Sequence, residues 1–242
     1  MSTLSVLYQD DDLIAIAKPP GLLVHRSPID RHETRFAMQM LRDQVGRHVY
    51  PVHRLDKPTA GVLLFAFSSE MARAMGEQMM EKAFSKTYLA IVRGFVHHSG
   101  IIDYALRYKA DKIADRHRIR PVAPQPAVSA YQSLARFELP FASGRYASSR
   151  YSLVRLEPVT GRKHQLRRHM VHLRHPIVGD TTHGDGKQNK FIRETFNFSN
   201  LALSCTRMGF YHPLSDKWTT ITAPAHAQMT GLLDRWQAYK VA

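Results

Sequence analysis

Six consecutive apolar residues, Val62-Leu63-Leu64-Phe65-Ala66-Phe67, constrain this chain more than any other stretch. An apolar run of that length with turn residues at its edge reads as a buried strand. The chain enters it through His53-Arg54-Leu55-Asp56-Lys57-Pro58-Thr59-Ala60-Gly61. Pro58 and Gly61 punctuate this approach, so Asp56 is expected on a loop that feeds a rigid strand. Loops steadied by a scaffold often carry catalytic groups. Arg54 and Lys57 flank the carboxylate and favour its ionised form. An ionised Asp suits a nucleophile or an electrostatic stabiliser better than a general acid. Read on charge pattern alone, the same trio is an ordinary surface ion pair.

The partner is sought among polyanions. Lys plus Arg number 34 against 20 Asp plus Glu, a formal charge of +14, with 14 His besides. Such an excess points first to nucleic acid. An anionic membrane surface comes second, and no long basic amphipathic helix argues for it. The chain has one cysteine, Cys205, which excludes an intrachain disulfide and fits a reducing compartment. No apolar run is long enough to span a bilayer. The first residues lack a basic region and soon reach Asp10-Asp11-Asp12, unlike a signal peptide. A cytoplasmic protein folded as one domain over residues 1–242 is the expectation.

The remaining segments alternate. Residues 4–9 and 13–17 read as a hairpin with an acidic turn. Phe36, Ala37, Met40, Leu41 and Val45 predict a helix over about 33–46, ended by Gly46. Ser68 or Ser69 caps a second helix whose stripe is Met71, Ala72, Met75, Met79, Met80 and Ala83. Residues 86–94 form a strand by composition, with Lys86 and Tyr88 on one face. Residues 107–127 are basic and proline-containing, an exposed loop fit to contact phosphate. Strands follow over 127–137 and 150–157. Leu166, Met170 and Leu173 then mark a helix within 162–175 with a densely cationic face. Arg162, Lys163, His164, Arg168 and Arg174 are its candidate RNA contacts. His169, His172 and His175 invite a metal reading, but no Cys or carboxylate accompanies them and cations surround them. Residues 184–200 read as loop, 201–205 and 218–221 as strands, and 224–239 as a helix.

Three stretches together are more specific than any one. They are His53-Arg-Leu-Asp-x-x-Thr-x-Gly61, Lys86-x-Tyr-x-Ala-x-Val through Gly94, and Gly161-Arg-x-His-Gln-Leu-Arg167. Lys18-Pro-x-Gly21 and His175-Pro-Ile-Val-Gly-Asp180 accompany them. The set resembles the RluA-type pseudouridine synthases. Two departures are Ala60, where the family commonly has Ser, and Ser204-Cys205, where it commonly has His-Ala.

The resemblance implies an α+β fold in which a mixed, largely antiparallel sheet is flanked by helices and loops around a basic cleft. It implies isomerisation of uridine to pseudouridine. The bond from C1′ to N1 breaks, the uracil turns, and C5 bonds to C1′. No cofactor or metal is required. The target base must leave its stack to be reached. Asp56 would be the catalytic residue, attacking C1′ or C6 or abstracting the C2′ proton. Arg54 would fill the space the base vacates. Tyr88 would stack on the uracil, and the family's Tyr has also been proposed to act as a base. Arg167 would pair with Asp56. Details at 24–27, 111–115 and 125–128 look most like a branch that acts on transfer RNA at uridine 65. No separate RNA-binding module is expected, and the protein should be a monomer. A ribosomal RNA target within the same family is the alternative. So is a non-catalytic RNA-binding protein, although a carboxylate amid cations would cost it affinity for phosphate.

Overall fold

Strands β1 (Val6–Gln9) and β2 (Leu13–Lys18) pair antiparallel around the acidic turn, where the Asp10 carboxylate accepts hydrogen bonds from the backbone of Asp12 and Leu13. The computed structural model describes residues 3–26, 32–107, 123–143 and 146–241. Helix α1 (Ala37–Val45) starts later than its apolar pattern predicts. Phe36 is extended and makes a single bridge to Leu23, which keeps it out of the helix. Gly46 ends the helix with φ 68°, a left-handed conformation that suits glycine.

The short β3 (Tyr50–Pro51) leads to β4 (Ala60–Ala66), all seven residues of which are buried. Its large apolar side chains each contribute roughly 2 kcal/mol of burial. Helix α2 (Ser69–Met80) is capped by Ser68, whose hydroxyl accepts from Met71 N. Only part of the expected methionine stripe is core. Met71 and Met75 are buried, Met80 is exposed, and Ala83 lies beyond the helix.

Strands β5 (Ser85–Arg93), β6 (Gly100–Asp103), β7 (Val128–Leu139) and β8 (Ser149–Pro158) follow. Helix α3 (Gln165–His172) is shorter than the span expected for it. Helix α4 (Gly186–Phe196) occupies residues read from the sequence as loop. Asp185 caps it by accepting from Lys187 N and Gln188 N, and its buried Ile192 and Phe196 lie one turn apart. Strand β9 (Leu203–Tyr211) runs six residues past its predicted end and pairs with β10 (Trp218–Thr222). Helix α5 (Ala227–Trp236) continues through a 3-10 turn into β11 (Lys240–Val241).

The strands form one sheet in the order β1-β2-β4-β9-β5-β8-β7-β11, with β3, β6 and β10 attached to β4, β7 and β9. The fold is thus α+β with a mixed, largely antiparallel sheet. The parallel pairing is between β4 and β9, at Ala60↔Ser204 and Gly61↔Cys205. Tyr88 on β5 is also opposite Cys205. Gly61, Cys205 and Tyr88 therefore form a row across the sheet, five residues beyond Asp56. A side chain at Gly61 would put its Cβ 2.0 Å from the Cys205 carbonyl oxygen, at φ 109°. Only glycine lets the two strands approach this closely. One cluster of buried apolar side chains extends from Leu4 to Trp236.

Candidate active site

The loop that carries Asp56 is tied down at several points. The His53 ring is buried, and its Nε2 accepts from Leu64 N at 3.2 Å, pinning the start of the loop to β4. Burial, with Lys86 nearby, pushes the His53 pKa down to about 3, so the ring is neutral. Thr59 N donates to Asp56 O at 2.9 Å and closes the turn. Lys18, 1% exposed, donates from Nζ to the carbonyls of Pro19, Leu22 and Lys57 at 2.9, 2.7 and 3.1 Å. Three acceptors match the three N–H groups of an ammonium. Burial lowers the Lys18 pKa to about 7, and the Asp56 charge opposes that shift. This one buried cation joins the loop at 19–22 to the loop of Asp56.

Asp56 itself is part-exposed, and one carboxylate oxygen faces helix α3. Arg167 Nη1 donates to its Oδ2 at 3.0 Å. The guanidinium is 3% exposed, and its other edge is held by Asp180, with Nε to Oδ2 at 2.8 Å and Nη2 to Oδ1 at 2.7 Å. A two-pronged bond of this kind fixes the plane of the guanidinium. Asp180 Oδ1 also accepts from the backbone of Thr182 and His183, both at 2.9 Å. Burial works against the ionised Asp180, but its bonds to Arg167 and to those amides outweigh burial and lower its pKa. Burial likewise disfavours the Arg167 cation, and Asp180 and Asp56 more than offset it. The result is a fixed cation aimed at the one carboxylate of the set that meets solvent.

Tyr88 is buried on β5, paired across the sheet with Cys205 and within electrostatic reach of Asp56. Burial, then Cys205, hold the Tyr88 phenol well above its ordinary pKa. Burial also pushes the Cys205 thiol up to about 12. Cys205 thus occupies part of the position where the sequence departs from its family. Its thiol is neutral where it faces Tyr88 across the sheet. Lys86, on the same face as Tyr88, lies near the thiol and has its pKa lowered by burial.

The residues expected to contact RNA divide into two groups. Arg54, Arg162, Lys163 and Arg174 are exposed, and Arg162 Nε reaches Pro126 O at 3.1 Å. Arg168 is half-buried and donates to Arg107 O at 2.8 Å. His164 does not join this surface. Its side chain is 23% exposed, and Nε2 lies 3.9 Å from Asp56 Oδ2. The cationic face expected of this helix is narrower than its sequence suggests, because Arg167 and His169 point inward. The basic stretch at 108–122 lies outside the described residues.

The three histidines of the metal reading turn to separate partners. His169 bonds Ser129 Oγ and Tyr104 O, His172 stacks on Tyr104, and His175 bonds Arg93 O. Among the described residues, Asp10, Asp12 and His212 could gather round a cation. However, His212 Nδ1 accepts from Leu214 N, which leaves the proton on Nε2, 3.2 Å from Asp10. A ring nitrogen that carries its proton has no lone pair for a metal. No helix among the described residues is long and apolar enough to cross a membrane.

Residues 12–172 match the family model described as RNA pseudouridylate synthase. The chain belongs to this family. Curated relatives named tRNA pseudouridine synthase C are similar over nearly the full length. The protein from Haemophilus ducreyi is 53% identical over 96% of this chain and 96% of its own. Those from Yersinia pestis and Vibrio parahaemolyticus are 51% and 49% identical, over 96% and 97% of this chain and 91% and 92% of theirs. Among solved structures, human RNA Pseudouridylate Synthase Domain Containing 1 superposes with a TM-score of 0.71 at 22% identity, covering 98% of this chain and 95% of that one. Human RNA Pseudouridylate Synthase Domain Containing 4 gives 0.68 at 24%, over 98% and 94%. The pseudouridylate synthase fold inferred from the motifs is the fold observed.

Proposed function

We propose that this protein isomerises a uridine of transfer RNA, at position 65, to pseudouridine, with Asp56 as its catalytic carboxylate. The observation that carries the reading is the Arg167 guanidinium, buried, locked on Asp180 and donating to Asp56. A surface ion pair needs no such support, whereas a reacting carboxylate needs fixed orientation and an assured negative charge. The near-full-length similarity to proteins named for tRNA supports the choice of substrate.

In this mechanism the uridine leaves its helix, and exposed Arg54 enters the space it vacates. Tyr88 supports the uracil by stacking, and its phenol stays protonated. Asp56 acts at the sugar or at C6 while Arg167 holds one of its oxygens. Exposed Arg162, Lys163 and Arg174, with Arg168, bind phosphates and set the register of the RNA without reading its sequence. The reaction exchanges no electrons with an external acceptor, so the residues named suffice for the chemistry. The protein works as a single domain and as a monomer in the cytoplasm.

The test is mass-spectrometric mapping of pseudouridine in transfer and ribosomal RNA from cells with and without the gene. Loss confined to transfer RNA position 65, restored by the wild-type protein, is expected. Loss at a ribosomal site with position 65 intact would overturn the substrate assignment.

A further inference from the structure

We propose that His164, paired with His183, is the general base that removes the C5 proton in the last step of the isomerisation. This rests on the reading of Asp56 as the carboxylate that acts on the sugar. Whatever route frees the uracil, C5 ends bonded to C1′. A base for the C5 hydrogen must therefore lie within a few ångströms of the carboxylate that works on that sugar. His164 Nε2 lies 3.9 Å from Asp56 Oδ2. Its Nδ1 is 2.9 Å from His183 Nε2, and the two rings meet edge to face with centroids 5.1 Å apart. With Nδ1–H donated to His183, the Nε2 lone pair is presented on the Asp56 side. His183 is itself fixed, since its backbone N–H donates to Asp180 Oδ1. One carboxylate, Asp180, thus orients both Arg167 and the loop that carries the second histidine.

Among the described residues, the other groups whose protonation the Asp56 charge influences are poor candidates. Lys18, although its pKa is about 7, is buried with Nζ on three carbonyls, so the neutral amine would leave one of them without a donor and offer its lone pair to an acceptor. Arg167 stays protonated between two carboxylates. The Tyr88 phenol is buried and stays protonated. His164 is the remaining group of that set able to act as a base. Burial lowers its pKa below the ordinary histidine value, and Arg167 and Lys163 act in the same direction, while Asp56 and Asp180 oppose them. The ring is therefore neutral at neutral pH. Once it takes a proton, the two carboxylates stabilise the imidazolium.

The step balances. Before it, C5 carries both its original hydrogen and the new bond to C1′, with a double bond between C6 and N1. His164 Nε2 takes the hydrogen as a proton, and the C5–H electron pair closes the C5–C6 double bond. The C6–N1 π pair moves to N1, which takes a proton from water. The imidazolium returns its proton to solvent, and the histidine is regenerated. His164 holds a left-handed backbone, φ 54°. Asn adopts that conformation readily but is not basic.

The test is His164→Asn protein acting on transfer RNA carrying deuterium at uridine C5, with thermal unfolding and RNA affinity measured alongside. Turnover should fall by about 10²-fold or more, the usual contribution of a general base. It should acquire a primary deuterium isotope effect larger than wild type and be partly restored by added imidazole. Cleavage of the bond between C1′ and N1 should still occur, whereas Asp56→Asn should abolish it. Turnover within a few-fold of wild type would overturn the assignment of His164. So would a loss with no gain in isotope effect and no rescue, and both results leave the reading of Asp56 standing. Glycosidic cleavage by Asp56→Asn at the wild-type rate would instead overturn the reading beneath it.

Discussion

Replacing Asp180 with Asn removes the anion that holds Arg167. The substitution keeps the size of the side chain and an oxygen for the amides of Thr182 and His183. It turns one arm of the two-pronged bond into a donor facing a donor. Arg167 and the Asp180 side chain are 3% and 1% exposed, so the cation has no water to turn to. Breaking a buried pair by removing one partner costs about 3–5 kcal/mol. Asp56 remains 3.0 Å away as a second anion, which places the expected loss near the lower end, about 3 kcal/mol. For a chain of this length, Tm should fall by roughly 6–12 °C. Turnover should fall further than stability alone explains, because a guanidinium shifted by about 1 Å misorients Asp56 at a cost of about 10²-fold. Thermal unfolding and single-turnover pseudouridine formation measure the two effects. The pH dependence adds a control. The native Asp180 pKa lies below the unfolded carboxylate value, so its stabilisation is present above about pH 4 and is lost as pH falls through the native value. Wild type and variant should therefore converge in stability in acid. An unchanged Tm with unchanged turnover at neutral pH would refute the argument that Asp180 positions Arg167.

Two further expectations follow from buried and exposed charge. His53 has a native pKa of about 3 against about 6.5 unfolded, so the unfolded chain binds more protons between those values. Stability should decline as pH falls through that window, by up to about 1.4 kcal/mol per pH unit, and His53→Gln should flatten the slope in urea titrations taken at several pH values. A slope unchanged by His53→Gln would show that other groups cause it. RNA affinity should fall with salt on a log–log slope of several units, about 0.7–0.9 for each phosphate contact. Arg168→Glu combined with Arg174→Glu should lower both slope and affinity for all RNAs alike. A salt-independent affinity measured by filter binding would contradict the phosphate-contact reading.

The buried strand at β4 was legible because six consecutive apolar residues, Val62 to Phe67, leave few other folds open. The family was legible because three motifs stood in order. The contact of Asp56 with Arg167 spans 111 residues of sequence, and only the resemblance linked the two; no local spacing could. The inward turn of His164 and His169 was hidden, because a short helix rich in cations looks the same from its composition whichever face is buried. Asp180 stood in a recognised motif, but its role depends on a partner thirteen residues away across a turn. The signal that could have marked it is an Asp after the apolar Ile177-Val178, a setting in which an ionised carboxylate needs a cation. Lys18 likewise sat in a motif without a role, since a lysine engaging three carbonyls leaves no pattern in sequence. Helix α4 was missed because its polar residues dominate, while its cap at Asp185 and its two buried residues decide the outcome.

The central claim concerns Asp56, and Asp56→Asn tests it most directly. The substitution nearly preserves shape while it removes the negative charge. In a protein that only binds RNA, it would be neutral or would raise affinity, because it deletes a repulsion with phosphate. In a synthase it must separate binding from chemistry. The measurement is tritium release from transfer RNA labelled at uridine C5, together with affinity for the same RNA, since isomerisation exchanges the C5 hydrogen with solvent. Release at the background rate with affinity equal to or tighter than wild type is the predicted result. Release at the wild-type rate would contradict the account.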